Sequence, residues 1–337
     1  MGGEVLSMDA TNTDLNRSAD LIVRRLLAVA PGEQVAIVCD PHSEMAMANA
    51  LAEVVESVGG EFAILTMPTR ELARKNELGP VVEAALQHAD CLIGLTGASG
   101  APTYARAVKE LYDARKLRGI SMVMRNMDNF TQGGARADYD ALLEEGQVLA
   151  NLWRGADRIH ITSPAGTDVQ AAIKGEDVIV ECGFATEPGQ EAAFSDGEVS
   201  QMPSTGTAEG TLIIDGPMAH FGLPVRPVSL QVEGGKIVSV EGTSSQADGL
   251  RGVIETVADG DNLAEFGIGL NPLSRRNGDF EEEKKARGAV HAALGDNVFY
   301  GGEIQSAVHI DMVMYRPTVV LDESVIVSDG KIQLPAA

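Results

Sequence analysis

The order of apolar and polar positions divides the chain into two halves with different periods. From Asp14 to Val29 the apolar residues Leu15, Leu21, Ile22, Leu26 and Leu27 recur at helical spacing, and Pro31-Gly32 ends the segment. Gln34–Cys39 (QVAIVC) is a short unbroken apolar run, the pattern of a strand covered on both faces. Ser43–Val58 reads as an amphipathic helix closed by Gly59-Gly60, Glu61–Thr66 as a strand, and the stretch from Thr69 or Glu71 to Gln87 as a further helix. Asp90–Leu95, Pro102–Lys116 and Ile120–Met124 continue as strand, helix and strand. That alternation predicts a parallel sheet with right-handed crossovers. Such sheets bind ligands beyond the carboxyl ends of their strands, here Asp40-Pro41-His42, Thr96–Gly100 and Arg125–Asp128.

A helix over Asp138–Trp153 closes the first half, and a domain boundary is expected near residue 155. Beyond it the segments shorten and the period falls toward two. Asp157–Thr162 (DRIHIT) alternates, which puts His160 on a sheet surface. Thr211–Asp215, Val228–Val232 and Lys236–Val240 read as strands, the last two joined through Glu233-Gly234-Gly235 as a hairpin. Leu263–Leu270 is a further strand. Gly278–Leu294 is expected to be a helix with Glu281–Glu283 near its start and Gly295 as its stop. His309–Met314 reads as a strand and Thr318–Ile332 as a closing hairpin turning at Asp329-Gly330. The expected class is α/β. Residues 1–155 form a Rossmann-like, doubly wound parallel-sheet domain, and residues 156–337 a mixed α/β domain that carries a metal site.

Composition narrows the function classes. At 337 residues the chain is long for one core. A net charge of −23 repels a phosphate backbone or an anionic membrane, and 4% aromatics is little for stacking bases. The partners expected are therefore a small-molecule substrate and no nucleic acid or membrane. The start MGGEVLSMDA lacks the apolar run of a signal peptide, and no apolar stretch approaches the ~18 residues of a membrane span. Three widely spaced cysteines, Cys39, Cys91 and Cys182, do not make a disulfide framework, and a cytoplasmic protein is expected. Gly97 and Gly100 precede a helix, but G-x-x-G is not a dinucleotide fingerprint.

Groups with metal-ligand character gather in the second half. His309 and Asp311, two apart on a strand, point to one face, and imidazole with carboxylate is metal-ligand chemistry. Glu265 lies in the apolar LAEFGIGL, where an unpaired carboxylate is costly. A metal would compensate it, and so would Arg275 or Arg276. His291, between Val290 and Ala292, is either a ligand or a helix-end histidine facing the dipole. Glu198 in SDGE and His220 in DGPMAH fall in turns.

Together, SDGE, EGTLIIDG, AEFGIGLNP, VHAALGDN and HIDMVMYRPTVVLD resemble the thermophilic aminopeptidase (aminopeptidase T) superfamily. The resemblance is closest to its short branch that includes 2,5-dihydroxypyridine 5,6-dioxygenase. It covers most of residues 155–337 and is weaker, in the same order, over 20–155. The aminopeptidase branch implies two metal ions, Zn(II), Co(II) or Mn(II), held through Glu198, Glu265, His291, His309 and Asp311. That branch carries a tyrosine soon after the first histidine, where this chain reads Asp296-Asn297-Val298; the nearest tyrosine is Tyr300. The dioxygenase branch implies one Fe(II) on His291, His309 and Asp311, with Glu198 and His220 managing protons. Ring-opening oxygenation of a small hydroxylated N-heterocycle is the first expectation, and hydrolysis of a peptide or small amide the alternative. Related proteins assemble, so the resemblance also implies a homo-oligomer.

Overall fold

The structure, a computed structural model, describes residues 13–334 apart from 71–73, 75–76, 99 and 125. The contacts divide the chain into two compact units. One holds the residues up to Arg136 together with Cys182–Asp196, the other Ala137–Glu181 together with Gly197–Ala337. The single crossing expected near residue 155 is thus replaced by three. The helix Tyr139–Arg154 packs on strands of the second unit. The stretch Cys182–Asp196 returns to the first unit because it supplies a strand there.

The first unit is built on a five-stranded sheet in the order β2-β1-β3-β4-β8. Its strands are β1 (Gln34–Cys39), β2 (Glu61–Thr66), β3 (Cys91–Thr96), β4 (Arg118–Val123) and β8 (Glu191–Ala193), and every pairing is parallel. The order reverses between β1 and β3, as in doubly wound sheets. The unbroken apolar runs are β1 and β3, both buried almost throughout, whereas β2 at the edge is largely exposed. One core cluster joins Val38 and Leu92 of the sheet to Val82 and Leu86 of the helix Pro80–Leu86 and to Val108 and Leu111 of the helix Arg106–Asp113. The helix expected from Thr69 or Glu71 begins at Pro80, and much of its earlier part falls outside the described residues. The first helix widens into a π-helix over Leu21–Leu26, with Ile22, Val23 and Leu26 buried.

Asp40 ends β1 fully buried and organises the reversal point. Its carboxylate accepts hydrogen bonds from the N–H groups of His42, Gly97 and Ala98 and from the Ser43 hydroxyl. Four donors on one carboxylate satisfy it without a cation.

The second unit holds two antiparallel sheets. The larger has the order β12-β11-β10-β6-β5-β16-β17-β18. It is formed by β5 (Arg158–Thr162), β6 (Asp168–Ala172), β10 (Glu209–Ile214), β11 (Val228–Glu233), β12 (Lys236–Glu241), β16 (Thr318–Leu321), β17 (Ser324–Ser328) and β18 (Lys331–Ile332). The smaller, β15-β14-β13-β9-β7, contains β7 (Val178–Glu181), β9 (Glu198–Gln201), β13 (Leu263–Gly269), β14 (Val290–Gly295) and β15 (His309–Met314). The expected helix over Gly278–Leu294 is corrected here: only Phe280–Glu283 is helical, and Val290–Gly295 is a strand. The run VHAALG is buried on both faces between β13 and β15, so its apolar residues follow no helical stripe.

Candidate metal centre

Four adjacent strands of the smaller sheet present one face on which period two collects every acidic and imidazole candidate but one. Glu265, Gly267 and Gly269 share that face on β13, His291 and Ala293 on β14, and His309 and Asp311 on β15. The register fixes their neighbours: Glu265 lies opposite Ala293, Ala293 opposite Asp311, Gly267 opposite His291, and Gly269 opposite Glu198 of β9. Small residues alternate with ligand-type residues across the strands, which leaves room for the side chains to converge.

Two of those glycines are required by close approach. A Cβ on Gly267 would overlap the imidazole of His291. A Cβ on Gly269 would run into the backbone of residues 284–286, which crosses the sheet face at that point. The crossing segment is pinned by Asn271 N–H to Lys285 O at 2.9 Å and by Arg287 N–H to Asn271 O at 2.9 Å. It follows the short helix Phe280–Glu283, which Asp279 caps, and Arg275 holds Glu282 through its guanidinium at 2.8 and 2.9 Å and through its backbone N–H at 2.9 Å. Arg275 therefore pairs with Glu282, while Glu265 finds its partners among the histidines.

Glu265 is the hub. His291 Nε2 lies 3.0 Å from Glu265 Oε1, and His309 Nε2 lies 2.9 Å from Glu265 Oε2. Asp311 Oδ1 stands 3.4 Å from His309 Nε2 and 4.0 Å from His291 Nε2. Glu198 Oε2 is 3.6 Å from His291 Nε2. Two lysines that the sequence reading missed complete the cluster. Lys285 Nζ lies 2.8 Å from Glu198 Oε1, and Lys284 Nζ lies 3.7 Å from the same oxygen and 3.4 Å from Asp311 Oδ2. Glu198, Glu265 and His291 are wholly buried, and His309, at 28% side-chain exposure, forms the open rim. Tyr300, brought round by a single 3-10 turn, stacks its ring on His309 at 5.9 Å between centroids.

His220 stands apart from this face. It is exposed in the turn after β10, with left-handed backbone (φ 66°). Its neighbour Ala219 donates its N–H to the backbone carbonyl of Asp311 at 2.9 Å, so the turn runs alongside β15.

The charges answer one another. Burial pushes the Glu198 carboxyl up, but Lys284, Lys285 and His291 outweigh it and hold it well below the usual carboxylate range. Asp311 is likewise raised by burial and lowered further by Lys284 and His309. Burial lowers the His309 imidazole, yet Asp311 and Glu265 lift it to about 10. His291 is raised by Glu198 and Glu265 against the same burial. Both imidazoles thus sit in an excess of carboxylate charge, which protons or a metal cation can answer.

The donor set fits a metal ion on three observations. Ligand atoms of Glu198, Glu265 and His291, and again of Glu265, His309 and Asp311, lie within 4.8 Å of one another. Asp311 Oδ1 is buried, faces both imidazoles and has no hydrogen-bond partner. His309 Nδ1 lies 2.7 Å from the carbonyl oxygen of Asp296; an N–H at that position leaves the Nε2 lone pair facing Glu265 and Asp311, the tautomer a metal-ligating histidine adopts. The site is assembled from exactly the face that joins β13, β14 and β15 to β9.

Comparison with known proteins follows the same lines. The sequence profile of the 2,5-dihydroxypyridine 5,6-dioxygenase family matches residues 22–334. The 2,5-dihydroxypyridine 5,6-dioxygenase of Pseudomonas putida KT2440 is 26% identical over 207 residues, a stretch spanning 56% of this chain and 58% of that enzyme. A solved structure of 2,5-dihydroxypyridine dioxygenase from Pseudomonas putida KT2440 superposes with a TM-score of 0.76 at 20% identity, covering 95% of this chain and 97% of that one. Wild-type AmpT from Thermus thermophilus superposes with a TM-score of 0.68 at 18% identity, covering 95% and 99%. At these identities the two structures speak for the shared fold.

Proposed function

Since the chain belongs to the 2,5-dihydroxypyridine 5,6-dioxygenase family, we propose that it is a metal-dependent dioxygenase that opens the ring of a small hydroxylated N-heterocycle. The observation that carries the metal dependence is the buried Asp311 Oδ1, without a hydrogen-bond partner and facing the Nε2 atoms of both histidines. His291, His309, Asp311 and Glu265 are the residues that would hold the ion, with Fe(II) the metal proposed. When bound, ferrous iron in a histidine and carboxylate set supplies a redox-active Lewis acid with positions left open for substrate and oxygen.

The protein's own groups prepare that centre. Asp296 O fixes the His309 ring, and the Tyr300 ring lies against it, so the rim imidazole is held in one orientation. Lys284 binds the outer oxygen of Asp311 and leaves the inner one free. Glu198 and His220 are the groups proposed for proton transfer. Of the two, His220 exchanges with solvent directly, whereas Lys285 and Lys284 bias Glu198 toward its ionised form. A homo-oligomer is proposed as the working assembly, to be checked by light scattering.

Hydrolysis by a metal pair is the second reading, and one observation favours it: Glu265 belongs to both triads. Family membership weighs the other way. Anaerobic loading with Fe(II), followed by oxygen uptake with 2,5-dihydroxypyridine, separates the two. Oxygen consumed in step with substrate, with label from ¹⁸O₂ in the product, supports the dioxygenase. Turnover that proceeds undiminished without oxygen would sink it.

Among the described residues, no helix is long and apolar enough to cross a membrane.

A further inference from the structure

The smaller sheet carries donors for two cations, one on each side of Glu265, since Oε1 faces His291 and Oε2 faces His309. The two sides are not equivalent. On the His309 side, the nearest ammonium is that of Lys284, which reaches only the outer oxygen of Asp311, Oδ2, at 3.4 Å. On the His291 side, Glu198 is already engaged: Lys285 Nζ lies 2.8 Å from its Oε1, and Lys284 Nζ lies 3.7 Å from the same atom. Both ammoniums are sequestered, at 3% and 14% side-chain exposure, so solvent screens them little. The Phe280 ring, 5.6 Å from Lys284 Nζ, backs that side chain.

We propose that Lys284 and Lys285 are positioning residues that take the place of a second metal ion and restrict this centre to one divalent ion per chain. The inference rests on the metal-dependent reading above. Its basis is fixed charge and geometry. A divalent ion bound by Glu198, Glu265 and His291 would share the Glu198 carboxylate with two ammoniums, and like charges so close in a buried site repel strongly. The backbone crossing at Gly269 presents both lysines to the cluster from one short segment.

The test counts metal ions and does not depend on turnover. Purified wild type and Lys284→Gln/Lys285→Gln are titrated with Mn(II), with bound metal measured by elemental analysis and the spin state by electron paramagnetic resonance. The expected result is one Mn(II) per wild-type chain with a single-ion spectrum. The double variant should take up two, with a spin-coupled signal, and bind the second equivalent at least about tenfold more tightly than wild type. Lys285→Arg, which keeps the charge, should stay at one. Two ions with a coupled signal in wild type would overturn the proposal without reference to any variant, so it stays testable even if the double variant does not fold. One ion in both wild type and a folded double variant would overturn the role of the lysines alone. No ion in wild type would overturn the metal-dependent reading, and this proposal with it.

Discussion

Gly267 lies directly across the strand pair from His291, and a Cβ on Gly267 would overlap Cε1 and Nε2 of that imidazole. The histidine occupies the space that the glycine leaves empty. Gly267→Ala should therefore displace the ring while the surrounding strand pairing persists. Misplacement by about 1 Å costs on the order of 100-fold in activity. The expected outcome is a folded protein with turnover lowered by about that factor and weaker metal retention, read by circular dichroism, elemental analysis and oxygen uptake.

Tyr300 supports His309 through its ring face rather than through a ligand atom. Tyr300→Phe keeps the ring and should leave metal affinity close to wild type. Tyr300→Leu removes it and should weaken metal binding by roughly 10–100-fold, the usual effect of losing an outer support of a ligand. Competition with a chelator of known affinity measures both. Equal losses in the two variants would point to the hydroxyl instead.

Glu191, on β8, provides a pH handle in the other unit. Burial pushes its carboxyl up to about 8, with Thr103 and Lys109 acting in the opposite direction. Between the ordinary value of 4.5 and about 8, the folded chain holds a proton that the unfolded chain has released. Stability therefore falls as pH rises through that window and is fully reduced above it. Glu191→Gln removes the charge that is being buried. It should raise stability by roughly 1–3 kcal/mol near pH 9 and change little near pH 5, as read by denaturant unfolding at both values.

Arg118 and Glu33 form a paired fork under the same sheet, at 2.8 and 2.6 Å, and Arg118 Nε also donates to Leu27 O at 2.9 Å. The guanidinium is almost fully buried. Glu33→Ala should cost about 3–5 kcal/mol, because it leaves that charge without its counter-ion. Glu33→Leu combined with Arg118→Met should recover much of the loss. A double variant as unstable as Glu33→Ala would argue that the hydrogen bond to Leu27 O matters more than the pair.

The features legible in the sequence were those set by one short-range period. QVAIVC and CLIGLT read as buried strands because no polar residue interrupts them, and both are. His309-x-Asp311 read as one face of a strand, and the two side chains meet at Glu265 and at each other. Where both faces of an element are covered, the period disappears, which is why the segment holding His291 read as a helix end and folds as a strand. Lys284 and Lys285 carried no signal at all: in EEEKK they look like a solvated charge run. What buries them is the close crossing at Gly269, a contact between segments distant in the pattern. Tyr300 stands two residues beyond Val298 in the sequence, and only the 3-10 turn Val298–Tyr300 shows that its ring meets His309. The three-residue strand β8 is too short to show a period.

That small strand has a consequence for how the protein is made. The parallel sheet gains its last strand only from residues 191–193, after the chain has left to lay down β5, β6 and β7 and come back. A ribosome must therefore release well over half of the polypeptide before the first sheet can reach its final width, and the edge of β4 stays uncovered until then. Neither unit corresponds to one contiguous stretch, so no single cut separates the two units with both intact. Synthesis order, and not only sequence, thus links the maturation of the two halves.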